Sequence, residues 1–278
     1  DSRRNKSDNS VTQLRSQAGW VRLQRQQRNR KGKRMVSNSV DVVFGAGSGI
    51  GQALIERWRS AGERPVLAVS RSMAPRARAK SLAGVEHCAC DYSDKALAAL
   101  SERLTDEQAD VVRLVICNGV LQGEDYRPER ALSQLDLAAM RQVFEVNTFL
   151  PIRILAALTP ALKQSVGTRV AVLSARVGSI GDNRLGGWYS YRGSKSALNM
   201  MLKCAALELR RVSPAVKMLA YHPGTVDTPL SRPFQKGVSP EKLFTPERAA
   251  EALDRVMSRF EVKGDLAYLD WRGEPIPF

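Results

Sequence analysis

From residue 40 onward, short apolar runs recur along the chain, each followed by a stretch whose apolar positions keep helical spacing. The runs lie at 40–44, 66–69, 85–90, 111–117, 170–174, 216–222 and 266–269. Helical spacing follows at Ala53, Leu54, Ile55 and Trp58, at 96–100, and from Leu132 through Leu135, Met140, Val143 and Phe144. It returns at Ala197, Leu198, Met201, Leu202 and Ala205, and again at Ala249, Leu253, Val256 and Met257. Strand runs without in/out alternation are buried on both faces, and their alternation with helices predicts a parallel sheet wrapped by helices. The expected fold class is therefore α/β, a doubly wound parallel sheet in three layers.

Within this pattern the first run ends in Gly45-Ala46-Gly47-Ser48-Gly49-Ile50-Gly51, and a helix follows at once. Glycines let a backbone approach phosphate closely, and a helix N-terminus points its free N–H groups at an anion. The spacing is G-x-x-x-G-x-G through Gly45, Gly49 and Gly51, not G-x-G-x-x-G, because Ile50 and Gln52 stand where a glycine would be needed. The second run ends in Ser70-Arg71 with no carboxylate to hold ribose hydroxyls, and Arg71 suits a 2′-phosphate, so NADP is favoured over NAD. Asp91 after the third run is read as a partner for an adenine amino group or as a helix cap, a job for which Asp94 competes. Asn118-Gly119 closes the fourth run. Asn147 lies just ahead of Pro151, where it could bond backbone carbonyls at a kink.

Tyr191 and Lys195 are four residues apart at the start of a helical pattern and share one face of it. A phenol titrates near pH ~10, and a neighbouring ammonium favours the phenolate, so Lys195 is expected to lower the Tyr191 pKa. The sixth run ends at His222, followed by Pro223-Gly224-Thr225-Val226. No nucleophile accompanies His222, which argues against a Ser-His-Asp hydrolase. The stretch 230–244, rich in Pro, Gly and Lys, reads as a mobile lid.

Composition sharpens the outline. The 278 residues are 43% hydrophobic and 26% charged, enough for a substantial core. Of the formal charge of +15, residues 1–34 carry +9, from eleven Lys and Arg against Asp1 and Asp8, which leaves +6 for the rest. Residues 1–34 are expected to be a disordered basic segment, and residues 35–278 one domain beginning at Met35. Three origins compete for that segment: organelle targeting, a tether to nucleic acid or anionic membrane, or sequence upstream of the true start at Met35, which is favoured. The mildly basic body gives no reason to expect a nucleic-acid partner. No run of about 18 apolar residues predicts a membrane span. Cys88, Cys90, Cys117 and Cys204 are read as thiols of a reducing, cytoplasmic compartment; a zinc site with His87 is the disfavoured alternative, and no metal is expected.

Taken together and in order, the glycine loop, Asp91, Asn118-Gly119, Asn147, Tyr191-x-x-x-Lys195 and Pro223-Gly224 resemble the short-chain dehydrogenase/reductase family. The resemblance runs from about residue 40 to residue 278. The loop 178–183, the Gly186-Gly187-Trp188-Tyr189-Ser190-Tyr191-Arg192 stretch and the ending Trp271-Arg272-Gly273-Glu274-Pro275-Ile276-Pro277 resemble its branch of C-factor and sniffer-type carbonyl reductases. It implies a Rossmann-type domain that reduces a small carbonyl substrate with NADPH. Tyr191 would give a proton as hydride arrives, Lys195 would bind the nicotinamide ribose, Asn147 would hold a relay water, and 223–226 would lie along the nicotinamide. Tyr189 is a decoy, since Gly193 follows it at the position of the base. The family often pairs through two long helices, here near 133–150 and 191–211, so a homo-oligomer is one expectation. Three departures stand out: Phe44 replaces a Thr, Cys117-Asn118-Gly119 is one residue short, and Ala175 occupies the place of the Ser that polarises the carbonyl. Ser174, ranked first, or Ser179 would have to substitute, or the site is slow by about 10²–10³. The rival expectation is a dinucleotide-binding signalling protein with decayed catalysis.

Overall fold

A computed structural model describes residues 38–62, 64–72, 83–262 and 265–278. The expectations for residues 1–34 and for Met35 lie outside the described residues. Residues 39–278 form one unit. Its first strand, β1 (Ser39–Phe44), leads through the glycine turn into α1 (Gly49–Ser60). Then come β2 (Val66–Ser70), β3 (Val85–Ala89), α2 (Asp94–Asp106) and β4 (Asp110–Ile116).

The single helix read across 132–147 is divided in the structure. A 3-10 turn at Leu132–Gln134 stops, and Asp136 starts α3 (Leu137–Phe144) by accepting from the N–H of Ala138 at 2.7 Å and of Ala139 at 3.2 Å. A π-turn (Glu145–Phe149) then runs straight into α4 (Leu150–Gln164). After β5 (Arg169–Leu173) and a long loop come α5 (Tyr189–Val212) and β6 (Lys217–His222). The short β7 (Thr225–Val226) and β8 (Leu243–Phe244) pair with each other, and α6 (Pro246–Arg259) and β9 (Leu266–Asp270) close the chain.

Seven parallel strands form one sheet in the order β3-β2-β1-β4-β5-β6-β9, so the chain winds out from β1 in one direction and then in the other. One face carries α1 and α6, with Val43, Leu54, Trp58, Leu253 and Met257 in a common core. On the other face α2 packs on α4, and α4 on α5. Burial on both faces is why the strands read as unbroken apolar runs. One fully buried charge stands within them: Asp41 of β1 is held by Arg113 at 2.6 and 2.9 Å and Arg64 at 3.2 Å, with the Arg113 guanidinium 3.9 Å above the Trp58 ring.

The helical run Leu137–Gln164 is long and apolar enough to cross a bilayer, with a mean hydropathy of 1.2 over its most apolar stretch, a point the residue-by-residue reading missed. Its apolar positions Ile154, Leu158 and Leu162 are sealed in the core, as befits a sheet-covering helix. The strand order reverses between β1 and β4, and ligand crevices of such sheets open at that point, beyond the C-terminal strand ends.

Candidate active site

The turn after β1 is tight for steric reasons. Gly45 has φ 70°, and a Cβ there would stand 3.0 Å from the Asn118 nitrogen and the Cys117 carbonyl carbon. A Cβ on Gly51 would lie 2.6 Å from the Gly45 oxygen and 2.9 Å from the Ser48 hydroxyl. Ser48 caps α1 by accepting from the Gly51 N–H at 3.1 Å, and no acidic residue occupies the first turn, so the helix end keeps its positive character. Phe44 is wholly buried, its ring 6.3 Å from that of Tyr92, while burial pushes the neighbouring Cys117 thiol up to about 12.

The π-turn puts Asn147 where a regular helix would not. Its Oδ1 accepts from the Val120 N–H at 2.8 Å, and its Nδ2 donates to the Val120 oxygen at 2.8 Å and the Ser194 hydroxyl at 3.1 Å. Ser194 donates in turn to the Tyr191 carbonyl at 2.8 Å, and Thr148 donates to the Ser194 carbonyl at 2.8 Å. The first turn of α5 is thereby clamped to the chain that follows β4. Lys195 Nζ donates to the Leu173 carbonyl at 2.7 Å and stands 6.0 Å from the centre of the Tyr191 ring. A Cβ on Gly119 would lie 3.5 Å from Asn147 Oδ1 and 3.7 Å from Lys195 Nζ, which places both side chains against this one glycine.

Here the expected electrostatics are reversed. Burial pushes Tyr191 up to about 12, with Tyr268 adding to it, and pushes Lys195 down to about 7. Lys195 is too poorly solvated to hold its own charge firmly, so it does not bring the phenol down. A phenol that keeps its proton is suited to give one.

Helix α5 also begins two residues earlier than its apolar pattern suggests, at Tyr189. No side chain of its own caps it. Glu129, buried in the loop after β4, accepts from the Ser190 N–H at 3.2 Å and from the Ser190 hydroxyl, while its carbonyl takes the Trp188 N–H. A carboxylate at a helix N-terminus is favourable, and this one fixes the turn that carries Trp188 (φ 52°). Sequence reasoning missed Glu129, and the 61 residues between the partners left no local signal.

A cavity of about 990 Å³ opens along the C-terminal strand ends. Ser48, Gly49, Ile50, Asn118, Gly119, Ser174, Tyr191, Lys195, Pro223, Gly224, Thr225 and Val226 all line it. Gly45 and Gly51 shape the turn from behind, and Asn147 stands behind Gly119. Arg71 is exposed between the lining residues Ser70 and Ser72. Asp91 stays outside the lining: its Oδ1 accepts from the Ser93 N–H at 2.9 Å, which holds its carboxyl below the usual range, and Ser93, not Asp94, caps α2. The hydroxyl of Ser174 donates to Oδ1 of Asn199, a residue outside the lining, at 2.7 Å. Ser179 is sealed, accepting from the Asp182 N–H at 3.0 Å. Ala175 itself lines the cavity.

The stretch 230–244 is ordered by specific contacts. A 3-10 turn (Arg232–Phe234) sets Phe234 5.1 Å from Trp188, whose ring is 6.2 Å from Tyr191. Gln235 Nε2 donates to Asp227 Oδ1 at 3.1 Å, and the pairing of Val226 with Phe244 anchors the far end. Trp188 and Phe234, packed on each other, give the cavity an apolar wall beside Tyr191, and Leu121 and Val177 add apolar lining.

Residues 39–239 match the family model described as short chain dehydrogenase. A 1-hydroxy-2-glutathionyl-2-methyl-3-butene dehydrogenase of Rhodococcus sp. (strain AD45) is 32% identical over 215 residues, 77% of this chain and 88% of that protein. The C-signal of Myxococcus xanthus is 31% identical over 148 residues, 53% of this chain and 84% of that protein. Among solved structures, the carbonyl reductase Sniffer of D. melanogaster superposes with a TM-score of 0.73 at 20% identity, covering 87% of this chain and all 100% of that one. An NADPH-bound carbonyl reductase from chicken fatty liver gives 0.73 at 22% identity, covering 87% and 99%.

Proposed function

The chain belongs to the short-chain dehydrogenase family and is an oxidoreductase, and from that premise we propose that it reduces a carbonyl compound to an alcohol with NADPH, using Tyr191 as proton donor. The observation that carries this reading is the convergence of Tyr191, Lys195 and the glycine turn on one cavity. The turn fits a dinucleotide: its glycines leave no room for side chains on the inner side, whereas a Cβ on Gly47 would meet nothing within 4 Å on the open side. The α1 N-terminus and Ser48 would face the pyrophosphate, and 223–226 the nicotinamide. Ser70, Arg71 and Ser72 would hold a 2′-phosphate, which supports NADPH over NADH.

When bound, the dihydronicotinamide supplies the hydride that reduces the carbonyl carbon. Tyr191 gives its hydroxyl proton to the carbonyl oxygen, and the resulting phenolate recovers a proton by way of Lys195. Asn147, through Val120 and Ser194, keeps the tyrosine turn in register with the strand end. The apolar wall of Trp188 and Phe234 beside Tyr191, with Leu121 and Val177 also in the lining, favours aldehydes, ketones or quinones with an uncharged body.

Ala175, with Ser174 turned to Asn199, favours a second reading: a cofactor-binding signalling protein with little turnover. Oxidation of NADPH over a panel of aldehydes, α-dicarbonyls and quinones, with NADH in parallel, separates the two. Turnover preferring NADPH supports the reductase. Tight NADPH binding with no turnover on any carbonyl sinks it.

A further inference from the structure

We propose that His222 is a catalytic residue of this site, the donor that hydrogen-bonds the substrate's carbonyl oxygen in place of the hydroxyl Ala175 lacks. The inference rests on the carbonyl-reduction reading above. His222 is the last residue of β6, next to the strand end that carries Ala175, since the Ser174 N–H donates to the Tyr221 carbonyl at 2.8 Å. Both His222 and Ala175 line the cavity with Tyr191 and Lys195.

Among the described residues the ring makes no hydrogen bond. Its Nδ1 is sealed and unpartnered, and the residue lines the cavity. A buried N–H without an acceptor costs more than an idle lone pair, so the proton of the neutral ring belongs on Nε2, the nitrogen that the proposal turns toward the substrate. Burial, aided by the Arg176 guanidinium and opposed by Asp270, pushes the imidazole down to about 4, so the ring is a neutral donor that does not compete with Tyr191 as acid.

Other side-chain donors at this end are engaged. Ser174 donates to Asn199, Lys195 to Leu173, and Arg176 pairs with Asp182 at 3.0 Å and Asp270 at 3.2 Å. Among the described lining residues the competitors are the Thr225 hydroxyl, the Asn118 amide and the indole N–H of Trp188, whose ring is committed edge-on to Phe234 and Tyr191.

The test is a double-mutant cycle on the NADPH-loaded protein with 4-nitrobenzaldehyde, using His222→Ala, Ala175→Ser and both together. His222→Ala is expected to lower kcat by about 10²-fold, and His222→Gln, which keeps a donor, by about tenfold or less. Ala175→Ser should raise kcat at least about tenfold more in the His222→Ala background than in wild type, because a new hydroxyl matters most where the imidazole is gone. An equal factor in both backgrounds, or a large loss in Trp188→Phe with none in His222→Ala, overturns the proposal. Unchanged NADPH affinity and circular dichroism show that each variant is folded. Binding of benzamide, whose carbonyl accepts a hydrogen bond without being reduced, reads the same contact with no turnover at all. Affinity about tenfold weaker in His222→Ala supports the proposal and equal affinity overturns it, whether or not the chain proves to reduce carbonyls.

Discussion

Lys195 is 2% exposed, and among the described residues its ammonium has one hydrogen-bond partner, the Leu173 carbonyl. Burial holds its pKa at about 7, against about 10.4 for a free lysine. Between those values the unfolded chain carries a proton that the folded chain does not, so stability rises with pH across that window and falls as the pH drops through 7. The slope approaches about 1.4 kcal/mol per pH unit for one proton, and half of the folded molecules are already deprotonated at the lower limit. The gain from about pH 7 to about pH 9 therefore comes to about 2 kcal/mol. Lys195→Met keeps the stem and removes the titration. Urea unfolding of both proteins at several pH values, followed by circular dichroism, gives the difference in ΔG directly, and contributions common to both cancel. The wild type should gain about 2 kcal/mol on the variant over that range and level off below about pH 6. A difference that stays flat would mean that Lys195 is charged throughout, and the account of a site that suppresses its own cation would be wrong.

Other consequences are equally direct. Gly51→Ala sets a methyl against the Gly45 carbonyl, a backbone atom that cannot swing aside, so NADPH affinity measured by fluorescence titration should fall by at least about tenfold while the fold persists. Asp41→Ala leaves Arg113 and Arg64 without the carboxylate they share, and chemical denaturation should show a loss of about 3–5 kcal/mol. Arg71→Glu should weaken NADPH far more than NADH, since it sets a carboxylate where the 2′-phosphate would bind; an unchanged ratio of dissociation constants would remove Arg71 from cofactor selection.

Much of this was legible because the signals are local. The strands announce themselves because both faces of the sheet are covered, so apolar residues dominate them; the buried exception, Asp41, finds its partners Arg64 and Arg113 on another strand and in a loop. Ser48 and the glycine spacing could be read because a turn and its cap lie within seven residues. What escaped depends on contacts distant in sequence. Glu129 caps α5 from the far side of α3 and α4, and the start of that helix moved accordingly. The π-turn at Glu145–Phe149 has no compositional mark, and the mark of the late helix start, Asp136 with its N-capping carboxylate, went unread. Ser174 ranks first to replace the missing hydroxyl, but its own hydroxyl is given to the Asn199 amide oxygen, a partner 25 residues away that the sequence does not reveal. The lowered Lys195 could not be foreseen, since burial at one atom is a property of the whole fold.

The central claim is that Tyr191 protonates a carbonyl as hydride reaches its carbon. The most direct measurement is reduction of 4-nitrobenzaldehyde with NADPH deuterated at the transferring position of C4, comparing the wild type with Tyr191→Phe by mass spectrometry of the alcohol. One deuterium at the carbinol carbon, formed about 10²–10⁴ times more slowly in the variant, is the predicted result. Alcohol formed at the same rate without Tyr191, or carrying no deuterium, would contradict it.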